Sequence, residues 1–375
     1  MMNPNKLSAA FDLSLIYEKQ GSWWPQITGV GTASSPDVYT QREAIDILGI
    51  KDPKIAAIFL NSWIERRHLC LPPLDANGNR HFETQGQLIQ KHARIGIAMA
   101  REAIERCLLQ GNLSILDIDH LCCVSSTGFI TPGFSALLIK QMGFSNECSR
   151  LDIVGMGCNA GLNALSTVTA WASTHPGQVA LLVCIEACSA AYVFDGTMRT
   201  SVVNSLFGDG AAAVSVVAPR PEEGPRNSFP SVLRFSSLLI PDAIEAMRYD
   251  WDEHHAKFSF FLDPEVPYVV GAHAGPALQR LLHGSGISQS EIKHWIVHSG
   301  GKKVIDSVRV NLGLTRHELR HTLGILRDYG NVSSGSFLFS YERLFFEALA
   351  VAGDYGVMMA MGPGSTIEMA LLRWM

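Results

Sequence analysis

The chain has 375 residues, 47% of them hydrophobic, with 33 glycines and a formal net charge of -5. That length holds one duplicated domain or two ordinary ones. The negative balance excludes bulk attraction to nucleic acid or to an anionic membrane, so an anionic ligand needs a local basic patch. No apolar run is long enough to span a bilayer, the start Met1-Met2-Asn3-Pro4 lacks a signal-peptide pattern, and the eight cysteines are expected to be reduced in a cytoplasmic setting. There is no CxxC pair and no metal-ligand spacing of histidines, so no metal site is expected.

In chain order, residues 1–25 are mixed. Gln26–Gly31 is expected as a strand, Gln41–Ile50 and Pro53–Ile64 as helices, and 71–78 as a loop. Thr84–Leu109 predicts a long helix burying Leu88, Ile95, Ala98, Met99, Ile104 and Cys107. His120–Ser125 predicts a buried strand with Cys122 and Cys123 in the core, and Phe134–Met142 a helix. Small residues then crowd around one thiol, from Val154 to Leu165. Leu162, Leu165, Val168 and Trp171 recur at helical spacing behind it, so Cys158 is expected at a helix start, where free N–H groups favour a thiolate. Val179–Glu186 and Gly210–Val217 predict further buried strands. The Pro- and Glu-rich stretch 219–230 places a boundary between halves 1–225 and 226–375.

The second half weakly repeats the first. Ile118–Ser125 resembles Ile292–Ser299, and Pro176–Leu182 matches Ala352–Met358. Cys158 follows His120 by 38 residues, and Asn331 follows His294 by 37. A pseudo-two-fold relation would bring positions 158 and 331 together.

His298 ends a buried segment before Ser299-Gly300-Gly301, with glycines opening space beside the ring. Asn331, in Gly330-Asn331-Val332-Ser333, has the pattern of a helix N-cap and of a site amide. Cysteine, histidine and asparagine together can carry an acyl group on sulfur and hold the enolate formed when a malonyl thioester loses CO2. That chemistry uses no metal and no redox cofactor, only CoA thioesters as substrates.

The order Cys158, His298, Asn331 resembles the type III polyketide synthases of the chalcone synthase superfamily. Leu206–Ala213, His298–Gly301, Gly330–Ser334 and Gly362–Glu368 resemble them too. The resemblance implies an α/β thiolase fold, a duplicated five-layer αβαβα sandwich working as a homodimer. It implies Cys158 as acyl carrier, His298 and Asn331 as the decarboxylation pair, and Phe207 and Phe260 as gatekeepers. Asp152–Gly161, Asp195–Thr200, Met247–Asp252 and Ser299–Asp306 resemble bacterial members that use malonyl-CoA as both starter and extender. For those, four units give an eight-carbon chain. C8 then attacks C3, and loss of water leaves a 3,5-dihydroxyphenyl ring on an acetyl-CoA arm. Pathway enzymes assisting the dehydration are a possible partner class. Ser126, Glu186 and Ser333 match the hydroxyl–carboxylate–hydroxyl network of aldol-closing members. At the CoA mouth the resemblance implies Lys54 and Gly300, while Ala57 and Asn61 replace two basic contacts. Lys303 is expected to supply the missing charge.

Three other readings stay open from the sequence. One is a type III synthase making a pyrone, an alkylresorcinol or tetrahydroxynaphthalene. Another is an initiating ketoacyl-carrier-protein synthase. The third, a papain-like cysteine protease, lacks its local signature around the thiol.

Overall fold

The computed structural model describes residues 23–72, 83–191, 193 and 196–375. The N-terminal lead-in up to residue 22, most of the 71–78 loop and Asp195 lie outside them.

Strands buried on both faces build most of the frame, which is why Ile118–Ser125, Val179–Glu186 and Gly210–Val217 appear in the sequence as apolar runs. One set follows the order β5 (Ser149–Val154), β4 (Ile118–Ser125), β6 (Val179–Glu186), β7 (Gly210–Val217), β1 (Gln26–Ala33). The other follows β8 (Pro230–Leu239), β13 (Thr366–Trp374), β12 (Tyr355–Gly362), β11 (Ile292–Val297). The sets join where β1 meets β8 at the single register pair Gln26 and Ser231. Two short ribbons stand apart: β2 (Val38–Thr40) with β3 (Arg66–His68), and β9 (Met247–Asp252) with β10 (Lys257–Leu262).

The helices make the other three layers. α3 (Gln85–Gly111) covers β1, β7 and β6, and α4 (Phe134–Met142) covers β4 and β5. α5 (Ala160–Thr174) and α10 (Ser336–Glu347) each touch strands of both sets and form the middle layer. α7 (Val266–Leu282) closes the far side against β8 and β13, with α8 (Lys302–Asn311) beside it. Strand alternation sorts the cores. On β6, Leu181, Val183 and Ile185 face α3, while Leu182 and Cys184 face the middle layer. On β12, Met358 and Ala360 face that layer, and Val357, Met359 and Met361 face α7.

The repeat is visible in the register. β4 pairs β6 in parallel with Ile118 opposite Val179 and His120 opposite Ala180. β11 pairs β12 in parallel with Ile292 opposite Tyr355 and His294 opposite Gly356, with the irregularity at the same step.

Several expected elements differ at their ends. α1 (Gln41–Ile47) stops before Gly49, which is left-handed at φ 65°, and α2 (Pro53–Leu60) stops before Trp63, also at φ 65°. α3 begins at a Thr84 capping box with Gln87. Ala98 is exposed, not buried: Ala100 and Ala103 occupy the sheet-facing positions because the stripe follows Ile95, Met99 and Ile104. Cys122 and Cys123 are core residues, and all eight cysteines are free. Among the described residues no helix is long and apolar enough to cross a membrane.

Candidate active site

Cys158 lies two residues before the first residue of α5, on a turn that only glycine permits. Gly157 is left-handed at φ 83°, and a Cβ there would stand 2.2 Å from Pro363 Cδ. The Gly362-Pro363-Gly364 tract therefore packs directly on the cysteine turn. The thiol is buried, and its Sγ lies 3.5 Å from Ser333 Oγ.

Asn331 is held by backbone bonds on both sides. Its N–H donates to the Leu206 carbonyl at 2.8 Å, and its carbonyl accepts from Gly208 N–H at 3.0 Å. Its side-chain Oδ1 accepts from Ser333 N–H at 2.8 Å, an Asx-type turn in place of the expected helix cap, which falls on Val332 instead. That bond leaves the NH2 as the donor end of the amide, and Asn331 helps lower the Cys158 thiol. Gly330 sits at φ 74°, ψ −149°, and a Cβ would strike the Leu206 carbonyl at 2.6 Å.

His298 follows β11, and its loop is laced to the asparagine loop: Ser299 Oγ donates to the Gly330 carbonyl at 3.0 Å. A Cβ at Gly300 would crowd the imidazole at 3.1 Å from Cδ2, so glycine keeps that edge open as expected. Nδ1 is buried without a hydrogen-bond partner among the described residues.

The resting charge state differs from the expected thiolate. Burial pushes the Cys158 thiol up to about 12, only partly opposed by Ser333 and Asn331, and the Glu186 charge adds to the rise. Burial also pushes the His298 imidazole down to about 3. The helix start does not outweigh desolvation, so both groups rest neutral.

A cavity of about 410 Å³ opens on Cys158, lined among others by Ser126, Phe207, Tyr249, Phe260 and Ser333. Phe207 and Phe260 meet edge to face, centroids 5.9 Å apart at 89°. Its neighbour Phe258 is exposed and Phe261 lies under Arg248, which fixes Phe260 as the cavity-facing ring. Arg67, fully buried, braces Phe207 from behind by donating to the Phe207 carbonyl at 2.8 Å and the Asn204 carbonyl at 2.6 Å. Arg67 carries no mark in the sequence beyond its place in an Arg-Arg-His run.

Glu186 is wholly buried, and its partners differ from the expected set. The Ser126 backbone N–H donates to both carboxylate oxygens, at 3.0 and 3.2 Å, while Ser126 Oγ accepts from Gly157 N–H. The hydroxyl on the other side belongs to Ser334, not Ser333. Ser333 is left-handed at φ 46°, which turns its side chain to the thiol and the next one to the carboxylate. The Thr127 hydroxyl also works to lower the Glu186 carboxyl. Burial raises this carboxyl to about 7, against the pull of the Ser334, Ser126 and Thr127 bonds.

Lys54 is exposed near the start of α2, which packs on α6 (Met198–Leu206), the helix that ends at Phe207. Gly301 abuts the same helix at Leu206. Lys303 is exposed. A cluster missed in the sequence lies beside it: Lys302 Nζ and Arg316 stand 4.6 and 5.2 Å from the centroid of the Trp63 ring. Two lysines in the first turn of α8 oppose the helix dipole. Lys302, Lys303 and Arg316 have no carboxylate partner among the described residues.

With this geometry in hand, comparison with known proteins is decisive. Residues 30–220 match the N-terminal domain model of chalcone and stilbene synthases, and residues 235–375 the C-terminal one. The chain belongs to the chalcone and stilbene synthase family. It is 60% identical over 356 residues to a 3,5-dihydroxyphenylacetyl-CoA synthase of Streptomyces toyocaensis, covering 93% of this chain and 90% of that one. It is 59% identical to the protein of the same name from Amycolatopsis orientalis, covering 93% of each. The solved 1,3,6,8-tetrahydroxynaphthalene synthase of Streptomyces coelicolor superposes with a TM-score of 0.83 at 29% identity, over 93% of this chain and 99% of that one. Members of this family are acyltransferases with the thiolase fold, and the chain is a type III polyketide synthase.

Proposed function

We propose that this synthase condenses four malonyl-CoA molecules and closes the eight-carbon chain, C8 onto C3, to 3,5-dihydroxyphenylacetyl-CoA. The observation that carries this reading is 60% identity over nearly the whole length to a synthase of that product. The site chemistry agrees with it.

Cys158 takes the acyl group as its proton passes to His298. Each charge alone is penalised by burial, but formed together they attract at low dielectric. The Asn331 NH2 and the imidazole donate to the thioester oxygen of the extender as CO2 leaves, and the enolate attacks the acyl-cysteine. Phe207 and Phe260 divide the CoA side from the cavity. Phe260→Ala is expected to widen that division and to shift product toward longer or pyrone-type chains, read as a changed product ratio by mass analysis. Glu186, near its midpoint at neutral pH, takes the proton from C8 and returns one to the C3 oxygen.

Lys54, Gly300 and Lys303, together with Lys302, Arg316 and Trp63, form the proposed rim for the CoA phosphates and adenine. Lys303→Ala is expected to raise KM for malonyl-CoA severalfold with little change in kcat, and adding Lys302→Ala and Arg316→Ala to raise it further. An unchanged KM in the triple variant removes this rim from the binding site. We further propose a homodimer, a division into halves at 225/226, a cytoplasmic setting and a role in antibiotic biosynthesis, with pathway enzymes assisting the dehydration.

The test is incubation of the pure protein with malonyl-CoA alone. A CoA-linked dihydroxyphenylacetyl species supports the proposal. A naphthalene or pyrone product, or a requirement for malonyl-carrier protein, overturns it.

A further inference from the structure

Ser126 and Ser334 hold Glu186 at the cavity, but Thr127 leads from it away from the cavity into the protein. Thr127 Oγ1 accepts from Ala187 N–H at 2.9 Å and lies 3.4 Å from Nδ1 of His92, on α3. The other ring nitrogen, Nε2, lies 3.5 Å from Ser125 Oγ. Ser125 spends its own proton on the Ile185 carbonyl at 2.7 Å, so toward His92 it offers lone pairs. His92 is 1% exposed, and burial pushes it down to about 4, so the ring is neutral. The ring is also fixed in place. Phe134 meets it edge on at 5.0 Å, and Gly128 lies so close that a Cβ would stand 2.5 Å from the ring.

We propose that His92 is a positioning residue for ring closure, acting through Thr127 to give the Glu186 carboxyl a hydrogen-bond switch that supports both its ionised and its protonated form. The inference rests on the functional reading above. Because Ser125 offers only lone pairs, His92 stays the Nε2–H tautomer, donating to Ser125 and leaving Nδ1 as an acceptor toward Thr127. When Glu186 is ionised, the Thr127 hydroxyl donates to it. When Glu186 has taken the C8 proton, its own O–H donates to Thr127. The Thr127 proton then turns to Nδ1, and the ring keeps its own proton on Nε2 throughout. The net step is balanced within the site: C8 loses a proton to Glu186, the C8–C3 bond forms, the C3 carbonyl π bond opens, and Glu186 returns the proton to that oxygen. His92 gains and loses no net charge.

Other ionisable groups do not share the task. Cys158, Cys184, Cys188 and Tyr249 face Glu186, and each is held neutral. Beside His92 on α3, Lys91 is committed to Glu83 and the Cys70 carbonyl. Asp152 on β5 lines the same small space, and it is held by Ser135 and Arg150.

The experiment compares the parent with His92→Leu and His92→Asn. Infrared difference titration follows the carboxyl stretch of Glu186, assigned by its loss in Glu186→Gln, and products from malonyl-CoA are followed across pH. With leucine, Glu186 is the only acceptor left to Thr127, so its midpoint should fall by about one pH unit. The ratio of aromatic to pyrone product at pH 7.5 should fall about tenfold and recover at lower pH. Asparagine, which keeps a donor and an acceptor near Nδ1, should restore both. A leucine variant with the parent's thermal transition and an unmoved Glu186 midpoint overturns the proposal. A parent that forms no dihydroxyphenylacetyl thioester overturns the functional reading instead, and the infrared midpoint still decides the role of His92.

Discussion

Cys158→Ala is expected to lower formation of every condensed product at least about 10³-fold while malonyl-CoA decarboxylation continues. The two half-reactions use different atoms. Acyl transfer needs a sulfur. Enolate stabilisation needs only the donors of Asn331 and His298, whose backbones are tied to Leu206, Gly208 and Met359 and not to the thiol. Asn331→Ala should show the converse: decarboxylation falls about 10²- to 10³-fold, and acyl loading from a radiolabelled thioester persists. Release of labelled CO2 and retention of label on protein separate the two. Equal loss of both activities in both variants would sink this division of labour. Because burial holds both thiol and imidazole neutral, the rate of acyl loading should show no thiol titration between pH 6 and 9. A loading rate that rises through pH 8 to 9 would indicate a free thiol titrating near its ordinary value.

Much of this was legible in the sequence, and the reasons are specific. β4, β6 and β7 are buried on both faces, so their apolar runs mark them to within a residue or two. The repeat surfaced because paired strands 118–125 and 292–297 keep the same register toward their neighbours. Helix ends were less legible where a left-handed residue, Gly49 or Trp63, ended the turn early. β5 escaped notice because it is an edge strand with a polar, half-exposed pattern. At the site, residue identity singled out Cys158, His298 and Asn331, and left-handed glycines at 157 and 330 shape the turns that carry the first and the last. It was not enough to choose between Ser333 and Ser334, because one left-handed φ exchanges their directions. Nor did it show that a tryptophan and two cations from three segments meet at Trp63, a contact between residues far apart in the chain.

Glu186→Gln is expected to abolish the aromatic product, divert the chain to pyrone, and stabilise the protein at alkaline pH. The sign follows from burial. The carboxyl rests near 7 in the fold against 4.5 as an ordinary side chain, so the folded protein holds a proton that the unfolded chain releases. Its contribution to stability is therefore fully present below about pH 4.5 and is lost as pH rises through 7. A neutral amide escapes that loss, worth about 3 kcal/mol at pH 8 or above as an upper bound. The amide forfeits part of this gain, because Ser334, Ser126 and Thr127 all donate to the acid and one amide end cannot accept. The difference between the thermal melts of variant and parent should grow in the variant's favour as pH rises from about 4.5 and level off above pH 7, with the variant higher there. Aromatic product from the parent should be maximal near pH 7, where the acid and base forms coexist, and should vanish from the variant at every pH. A variant that is less stable at pH 8, or that still closes the ring, would show that this carboxyl is a structural group. A buried acid kept at a net cost to the fold, beside a cavity that opens on the acyl-bearing sulfur, is what a ring-closing proton carrier requires.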